Sequence, residues 1–333
     1  MITEKNFVNA RILMNYVDFE TGEITYSDDV LYRDDGDSEF YFEYFDKKVE
    51  KIFNSPQLKE IEVKSDHILI TAATKMLVSE DSIVFAKYSQ AITNEIENLT
   101  SRLDDRINFN LVFIECNTED TAYLIIAKLN YKNALKSTKQ DKVVKFATQP
   151  ILPNPNTAVD EAIIIDCSNK KIFMIEKKVK IDGKPSYYLN NYYVKGEPGL
   201  TEKEKIKLTL RVIRKVRETD DYSSLYAKFN EQIIRLADKE DTVNIYELVK
   251  LVLNNNEEFD EAKEVFKDLG VDSEERLNCC NIEQLSRFKF KIQDDVKIEL
   301  DLYDFIEKNN IRTEQRDGKT YLIFDDIGNI EVK

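Results

Sequence analysis

A single histidine, His67, stands in the whole chain, which excludes a histidine-rich metal centre and makes any Ser–His or Cys–His nucleophile depend on that one residue. Its neighbours, Ser65-Asp66-His67-Ile68, read as a turn or a helix start, so a solvated or capping imidazole is the expectation. Cysteine is scarce too. Cys116, Cys167, Cys279 and Cys280 are too few for a disulfide framework in 333 residues, and the adjacent Cys279 and Cys280 are poorly placed to pair with each other. Free thiols are expected. Eight glycines and six prolines leave no low-complexity tract, and neither the GxxxxGK[ST] phosphate loop nor the GxGxxG dinucleotide fingerprint is present. No run approaches the roughly 18 apolar residues of a membrane span, and the opening MITEKNFVNARILMNY carries charge where a secretory signal needs an apolar stretch. A cytoplasmic protein without membrane contact is expected.

What is present is the balance of a folded chain, 42% hydrophobic and 33% charged. The length exceeds what one core usually supports, so two domains are expected. The net charge of −15 hides a strong asymmetry. Residues 128 to 217 hold 20 Lys and Arg against 9 Asp and Glu, whereas residues 1 to 127 hold 12 against 25 and residues 218 to 333 hold 16 against 29. A basic centre between acidic flanks suggests different partners for different regions, unless the lysines simply solvate strand faces beside acidic neighbours.

The periodicities predict an α+β fold. Residues 5 to 32 alternate loosely about Thr21-Gly22 and read as a strand pair, followed by a helix with Tyr41, Phe45, Val49, Ile52 and Phe53 on one face, capped by Asp35 or Asp37 and ended by Pro56. A longer helix is predicted over about 80–104, with Phe85, Tyr88, Ile92, Ile96, Leu99 and Leu103 in one stripe. Phe109 to Ile114 and Ala122 to Leu129 are nearly continuous apolar runs, predicted as central strands buried on both faces; Ala162 to Asp166 and Lys171 to Glu176 predict a hairpin. Lys136 to Lys142 reads as a lysine-bearing loop, and Pro150, Pro153 and Pro155 as an irregular connection at a sheet edge. Thr201 and Glu204 have capping-box spacing for a helix running to about Arg217. Beyond 218 three helical stripes precede alternating strands at 288–292, 296–300 and 321–324, with Asp317-Gly318 as a hairpin turn. The expected layout is a mixed sheet packed by helices over 1–217 and a smaller helical and antiparallel-strand domain over 218–333.

Two constellations could carry function. Asp166, Glu176 and Lys178 imitate the D…ExK set of metal-dependent nucleases, in which two carboxylates hold Mg²⁺ beside a lysine; in a chain so rich in Glu and Lys the triplet arises easily by chance. The second is better organised. Lys203, Lys207, Arg211 and Arg214 are spaced four, four and three apart, one cationic stripe beside the apolar stripe of Ile206, Leu210 and Ile213, so one face packs while the next meets phosphate. Lys136, Lys139, Lys142, Lys170 and Lys171 extend that surface if the fold brings them together, and Lys128 and Lys132 are further candidates. Tyr187, Tyr188, Tyr192 and Tyr193 are either sugar-contacting aromatics or packing residues.

The segments Ile107-Asn-Phe-Asn-Leu-Val-Phe-Ile-Glu-Cys116, Tyr123-Leu-Ile-Ile-Ala-Lys-Leu129, Asp160-Glu-Ala-Ile-Ile-Ile-Asp166, Tyr188 to Val194 and the strand from Leu285 to Ile292 occur in an order that resembles the bacterial nucleoid-associated, NdpA-like family. The chain departs from it at Lys195-Gly-Glu-Pro-Gly199, where the family carries glycine and arginine. The resemblance implies nucleoid association and no catalytic residues. The expected partner is double-stranded DNA, bound with little sequence preference and without a cofactor, with a homodimer as a further expectation. The alternatives are an acidic adaptor for a DNA-processing protein and, behind it, the nuclease.

Overall fold

The computed structural model describes residues 7–36, 38–119, 121–140, 143–217, 222–237, 242–253, 255–278, 287–292, 296–301, 311–316 and 319–324. In chain order the elements are β1 (Val8–Asp18), β2 (Glu23–Thr25), β3 (Leu31–Tyr32), α1 (Glu39–Phe53), β4 (Lys59–Glu62), α2 (Ile68–Val78), α3 (Ser82–Thr100), β5 (Phe109–Asn117) and β6 (Ala122–Asn130). Then follow β7 (Lys132–Gln140), β8 (Val143–Ile151), β9 (Glu161–Asp166), β10 (Lys171–Ile175), β11 (Val179–Ile181), β12 (Lys184–Ser186), a π-helical turn (Leu189–Val194) and β13 (Glu197–Pro198). The remainder is α4 (Glu202–Arg217), α5 (Tyr222–Ala237), β14 (Thr242–Asn244), α6 (Ile245–Leu253), α7 (Asn256–Asp268), β15 (Arg276–Asn278), β16 (Arg287–Ile292), β17 (Val296–Asp301), β18 (Ile311–Arg316) and β19 (Lys319–Phe324). The fold is α+β, and the chain divides into two compact units, residues 2–201 and 202–333.

The first unit is built on one antiparallel sheet in the order β13-β4-β10-β9-β6-β5-β1-β2, with β3 also on β1. Because side chains alternate along a strand, the continuous apolar run of β5 serves two layers: Leu111 and Phe113 face one side, Val112 and Ile114 the other. α2 and α3 cover the first side through Leu69, Ile70, Phe85, Ile92 and Ile96. α1 covers the second through Phe42, Phe45, Val49 and Ile52. α1 begins at Ser38, which makes no side-chain cap, while the Asp35 carboxylate accepts from the Tyr32 N–H and Asp37 lies outside the described residues. The missing cap forgoes about 1 kcal/mol. Each buried Phe, Val or Ile of the helix contributes about 2 kcal/mol, so packing rather than capping sets this helix.

Several expectations change in detail. The long helix is α3 and ends at Thr100, and a separate α2 precedes it, whose run Ile68-Leu-Ile-Thr-Ala-Ala-Thr is too uniformly apolar to give a one-sided stripe. His67 is its N-cap: Nδ1 accepts from the Leu69 N–H at 3.2 Å, and Nε2 lies 3.0 Å from the Val194 carbonyl oxygen. Lys136 to Gln140 is not loop but the end of β7, which pairs with β8 in a nine-residue ladder that includes Pro150 opposite Asn133. Lys195 takes a left-handed φ of 59°, and a Cβ on Gly196 would sit 2.4 Å from the Ile61 side chain and 2.6 Å from the Glu62 carbonyl oxygen. That glycine therefore lets β13 close against β4, which is what Lys195 to Gly199 does in this chain.

Lys48 adds a buried charge to the α1 layer. Its ammonium donates to the carbonyl oxygens of Asn154 (2.7 Å) and Thr157 (3.0 Å) and to the Thr157 hydroxyl (3.1 Å), and burial, with repulsion from Lys132, pushes its pKa down to about 8 from the ordinary 10.5. Between those values the unfolded chain holds the proton and the folded chain does not. Stability therefore rises with pH across that window, and the stabilisation is absent below it. Relative to a Lys48→Met variant, the wild type is expected to gain stability from about pH 8 to about pH 10, while the difference stays flat below about pH 8. Denaturant titrations of both proteins at one-unit steps check this; a difference independent of pH would contradict the assignment.

In the second unit the apolar residues of α4 (Leu210, Val212, Ile213, Val216) join Leu225 and Phe229 of α5, Leu248 and Val249 of α6 and Phe266 of α7 in one core. α4 is thus part of this unit, whereas the sequence pattern places the boundary at its far end, near 218. The expected C-terminal strands occur as the hairpins β16–β17 and β18–β19; the turn residues Asp317-Gly318 lie outside the described residues.

Candidate nucleic-acid interface

On α4 the burial pattern separates two faces. Lys205, Thr209, Leu210, Val212, Ile213 and Val216 are buried, while Lys203, Lys207, Arg211 and Arg214 are all exposed. At about 1.5 Å of rise per residue the stripe from Lys203 to Arg214 is roughly 16 Å long. Among the described residues Lys203, Lys207 and Arg211 make no ion pair. Part of the cation placement has a helical reason: Glu202 and Glu204 sit at the positive end of the macrodipole and Arg214, Lys215 and Arg217 at the negative end. That reason does not reach Lys203, at the wrong end, or Lys207 and Arg211 in the middle. Lys205 belongs to the other face, where its ammonium bonds Glu202 (3.1 Å), Glu275 (2.7 Å) and the Arg276 carbonyl oxygen (3.0 Å).

The remaining sequence candidates that are described lie on separate elements of the first unit. Lys170, in the left-handed conformation, ends the turn between β9 and β10, and Lys171 opens β10, where it is held by Glu60 at 2.9 Å. Lys136 and Lys139 lie on β7, opposite Ala147 and Val144, and Lys142 is outside the described residues. Lys177 is paired with Asp160 at 2.6 Å. The local excess of positive charge is therefore smaller than the count along the chain, because acidic neighbours in space take up part of it.

The four tyrosines divide evenly. Tyr188 is fully buried and Tyr193 packs on the core, each phenol pushed up by burial and by a facing carboxylate, Glu161 for Tyr188 and Glu95 for Tyr193. Tyr187 and Tyr192 are 37% and 42% exposed. The Lys59 and Lys178 ammoniums lie 4.7 and 5.1 Å from the Tyr187 ring centre, and the Arg102 guanidinium 5.5 Å from that of Tyr192.

The nuclease-like set is taken apart by strand pairing. Asp166 sits opposite Lys171 at the turn end of β9 and β10, whereas Glu176 follows Ile175, which pairs with Ala162 at the other end. Four to five residues of strand, roughly 15 Å, separate the carboxylates. Asp166 instead accepts the Asn169 N–H at 2.8 Å and its amide at 2.9 Å, closing the turn. Among the described residues no group of three or more His, Cys, Asp and Glu side chains could hold a metal ion.

Glu176 has a different neighbour. One step beyond the Ala162–Ile175 pair it meets Glu161, and the two buried carboxylates are each given a lysine: Lys128 at 2.6 Å from Glu161 and Lys59 at 3.5 Å from Glu176, which also accepts the Asn190 N–H at 3.1 Å. Burial and the Glu161 charge push the Glu176 pKa up; the Asn190 N–H and Lys59 oppose them. This Lys–Glu–Glu–Lys row runs from β6 across β9 to the residue just after β10 and to β4, with Lys128 and Glu161 beside Ile96 of α3. The sequence holds one trace of it, Lys128 and Glu161 standing in otherwise apolar strands, where an isolated charge signals a buried partner. Free thiols stand at Cys116 and Cys167, whose pKa values burial pushes up to about 12 and about 11.

Fold and surface together define an α+β protein with an exposed cationic face on α4, in a chain where no described helix is long and apolar enough to cross a membrane. The chain belongs to the family of the nucleoid-associated protein YejK, whose family model matches residues 23–321. Among curated proteins, no match is found.

Proposed function

We propose that this protein is a non-enzymatic, nucleoid-localised DNA-binding protein that holds duplex DNA with little sequence preference. The observation that carries the reading is the α4 stripe: Lys203, Lys207, Arg211 and Arg214 exposed on one face while the opposite face anchors the helix in a core. Such a face offers charge and reach but no base-reading set. Lysine and arginine on phosphate position a duplex without reading it, and specificity requires groups placed against base edges in a groove. Family membership supports the nucleoid association, and the separation of Asp166 from Glu176 removes the motivation for the nuclease alternative.

The binding is expected to be electrostatic. With on the order of five phosphates neutralised, the slope of log affinity against log salt is roughly −4 to −5 for duplex DNA. Fluorescence anisotropy with duplexes of unrelated sequence, across a salt series, measures both slope and sequence tolerance. No detectable binding at low salt, or a strong preference for one sequence, would overturn the proposal.

A further inference from the structure

Two surface features of the first unit are each unusual alone and fit each other. The first is a knob. At the start of α1, Phe40 is 76% and Tyr41 51% exposed, their rings 6.0 Å apart edge to face, and the exposed acids around them are Asp34, Asp35, Glu39 and Glu43. Helices that cover a sheet normally keep large aromatics inside. α1 does so with Phe42 and Phe45, so this adjacent pair gains nothing from the core.

The second is a groove of about 520 Å³ between the end of α2 and the start of α3. Val78, Val84 and Tyr88 form its apolar wall, and Lys75 and Lys87 are its charged members; no carboxylate lines it. Val78 is 78% exposed and Ile83, beside the groove, 72%. Glu80 and Asp81 stand in the connecting loop, where Asp81 is engaged in capping α3 through the Ile83 N–H, and Glu115 is taken up by Arg11, which also donates to the Ser79 carbonyl oxygen. An apolar slot edged by ammonium groups suits an aromatic pair edged by carboxylates, and its volume is ample for two aromatic side chains.

We propose that the occupant of the α2–α3 groove is the Phe40–Tyr41 knob of a second copy of this chain. α1 and the α2–α3 pair cover opposite sides of the same sheet, so the contact is head to tail. A copy docked through its knob still presents its groove, and copies add in sequence. Buried aromatic anchors with a charged rim are the usual energetic centre of such interfaces. The proposal stands apart from DNA binding, and its test needs no DNA.

Sedimentation velocity of the full-length protein over a wide concentration range is expected to show a series of assemblies beyond the dimer. A knob variant (Phe40→Glu with Tyr41→Glu) and a groove variant (Val78→Glu with Lys87→Glu) change exposed residues only, so circular dichroism should be unaltered while association weakens about thirtyfold or more. Mixing the two variants is decisive. The groove variant keeps its knob and the knob variant its groove, so the mixture should form a one-to-one dimer that grows no further. A wild type that stays monomeric throughout, as it would if the groove served a different protein, overturns the proposal. So does a mixture of variants that yields no dimer, as expected of assembly through another surface.

Discussion

Replacing Lys203, Lys207, Arg211 and Arg214 by Gln is expected to lower duplex affinity on the order of a hundredfold at low salt and to shrink the salt slope by about one unit per lost contact, leaving little of it. Folding should survive. All four side chains are exposed, and Gln is nearly as good a helix former as Lys or Arg, so the helix loses only tenths of a kcal/mol. The apolar side of α4 is untouched. The matching control removes four cations from acidic stretches of the sequence, at Lys250, Lys263, Lys267 and Lys308; Lys263, for example, is already paired with Asp260 at 2.5 Å. If the two quadruple variants lose affinity equally, binding follows total charge alone and the site is not α4. Anisotropy titrations of the two variants beside the wild type, at matched salt, decide it.

The largest effect on stability is expected at Lys128. Its ammonium lies 2.6 Å from Glu161 in a layer where the two side chains are 8% and 1% exposed. Removing one member of a buried pair strands the other charge, and such changes cost about 3–5 kcal/mol, a large part of the 5–15 kcal/mol that holds a typical domain folded. Lys128→Met should therefore lower the denaturation midpoint sharply although it keeps an unbranched aliphatic side chain, since it also removes the ammonium that lies 5.0 and 5.7 Å from the Phe109 and Tyr188 ring centres. Adding Glu161→Gln should restore much of the loss, because the stranded carboxylate is gone. A double-mutant cycle by urea unfolding reads the coupling. Additive single effects would show that the pair does not interact as its geometry indicates. The same measurement tells structural lysines from binding lysines: Lys128 variants should change stability, and α4 variants DNA affinity.

These contrasts mark how far the sequence could be read. α4 was legible because its two stripes are a local property: residues three and four apart share a helix face wherever the helix lies, so spacing alone predicted which side would be wet. The central strands were legible for a similar reason, since continuous apolar runs in β5 and β6 require cover on both faces. α2 escaped because its apolar residues run nearly all round and give no phase, and β7 because lysines along a strand look like a loop when its partner is unknown.

The sequence by itself determined the α+β class, the outward cationic face of α4 and the kinship to nucleoid-associated proteins, all carried by spacing and segment order. Only the tertiary structure decided which charges are free to act. Register put Lys128 against Glu161, Glu176 beside Glu161 and Asp166 at the far end of its hairpin, and chain reversals placed Lys171 on Glu60 and Lys177 on Asp160. Pairing across strands depends on which residues fall opposite one another, and a shift of one position exchanges every partner. Charge along the chain is therefore a poor measure of charge at the surface, while charge along a single helix face is a good one.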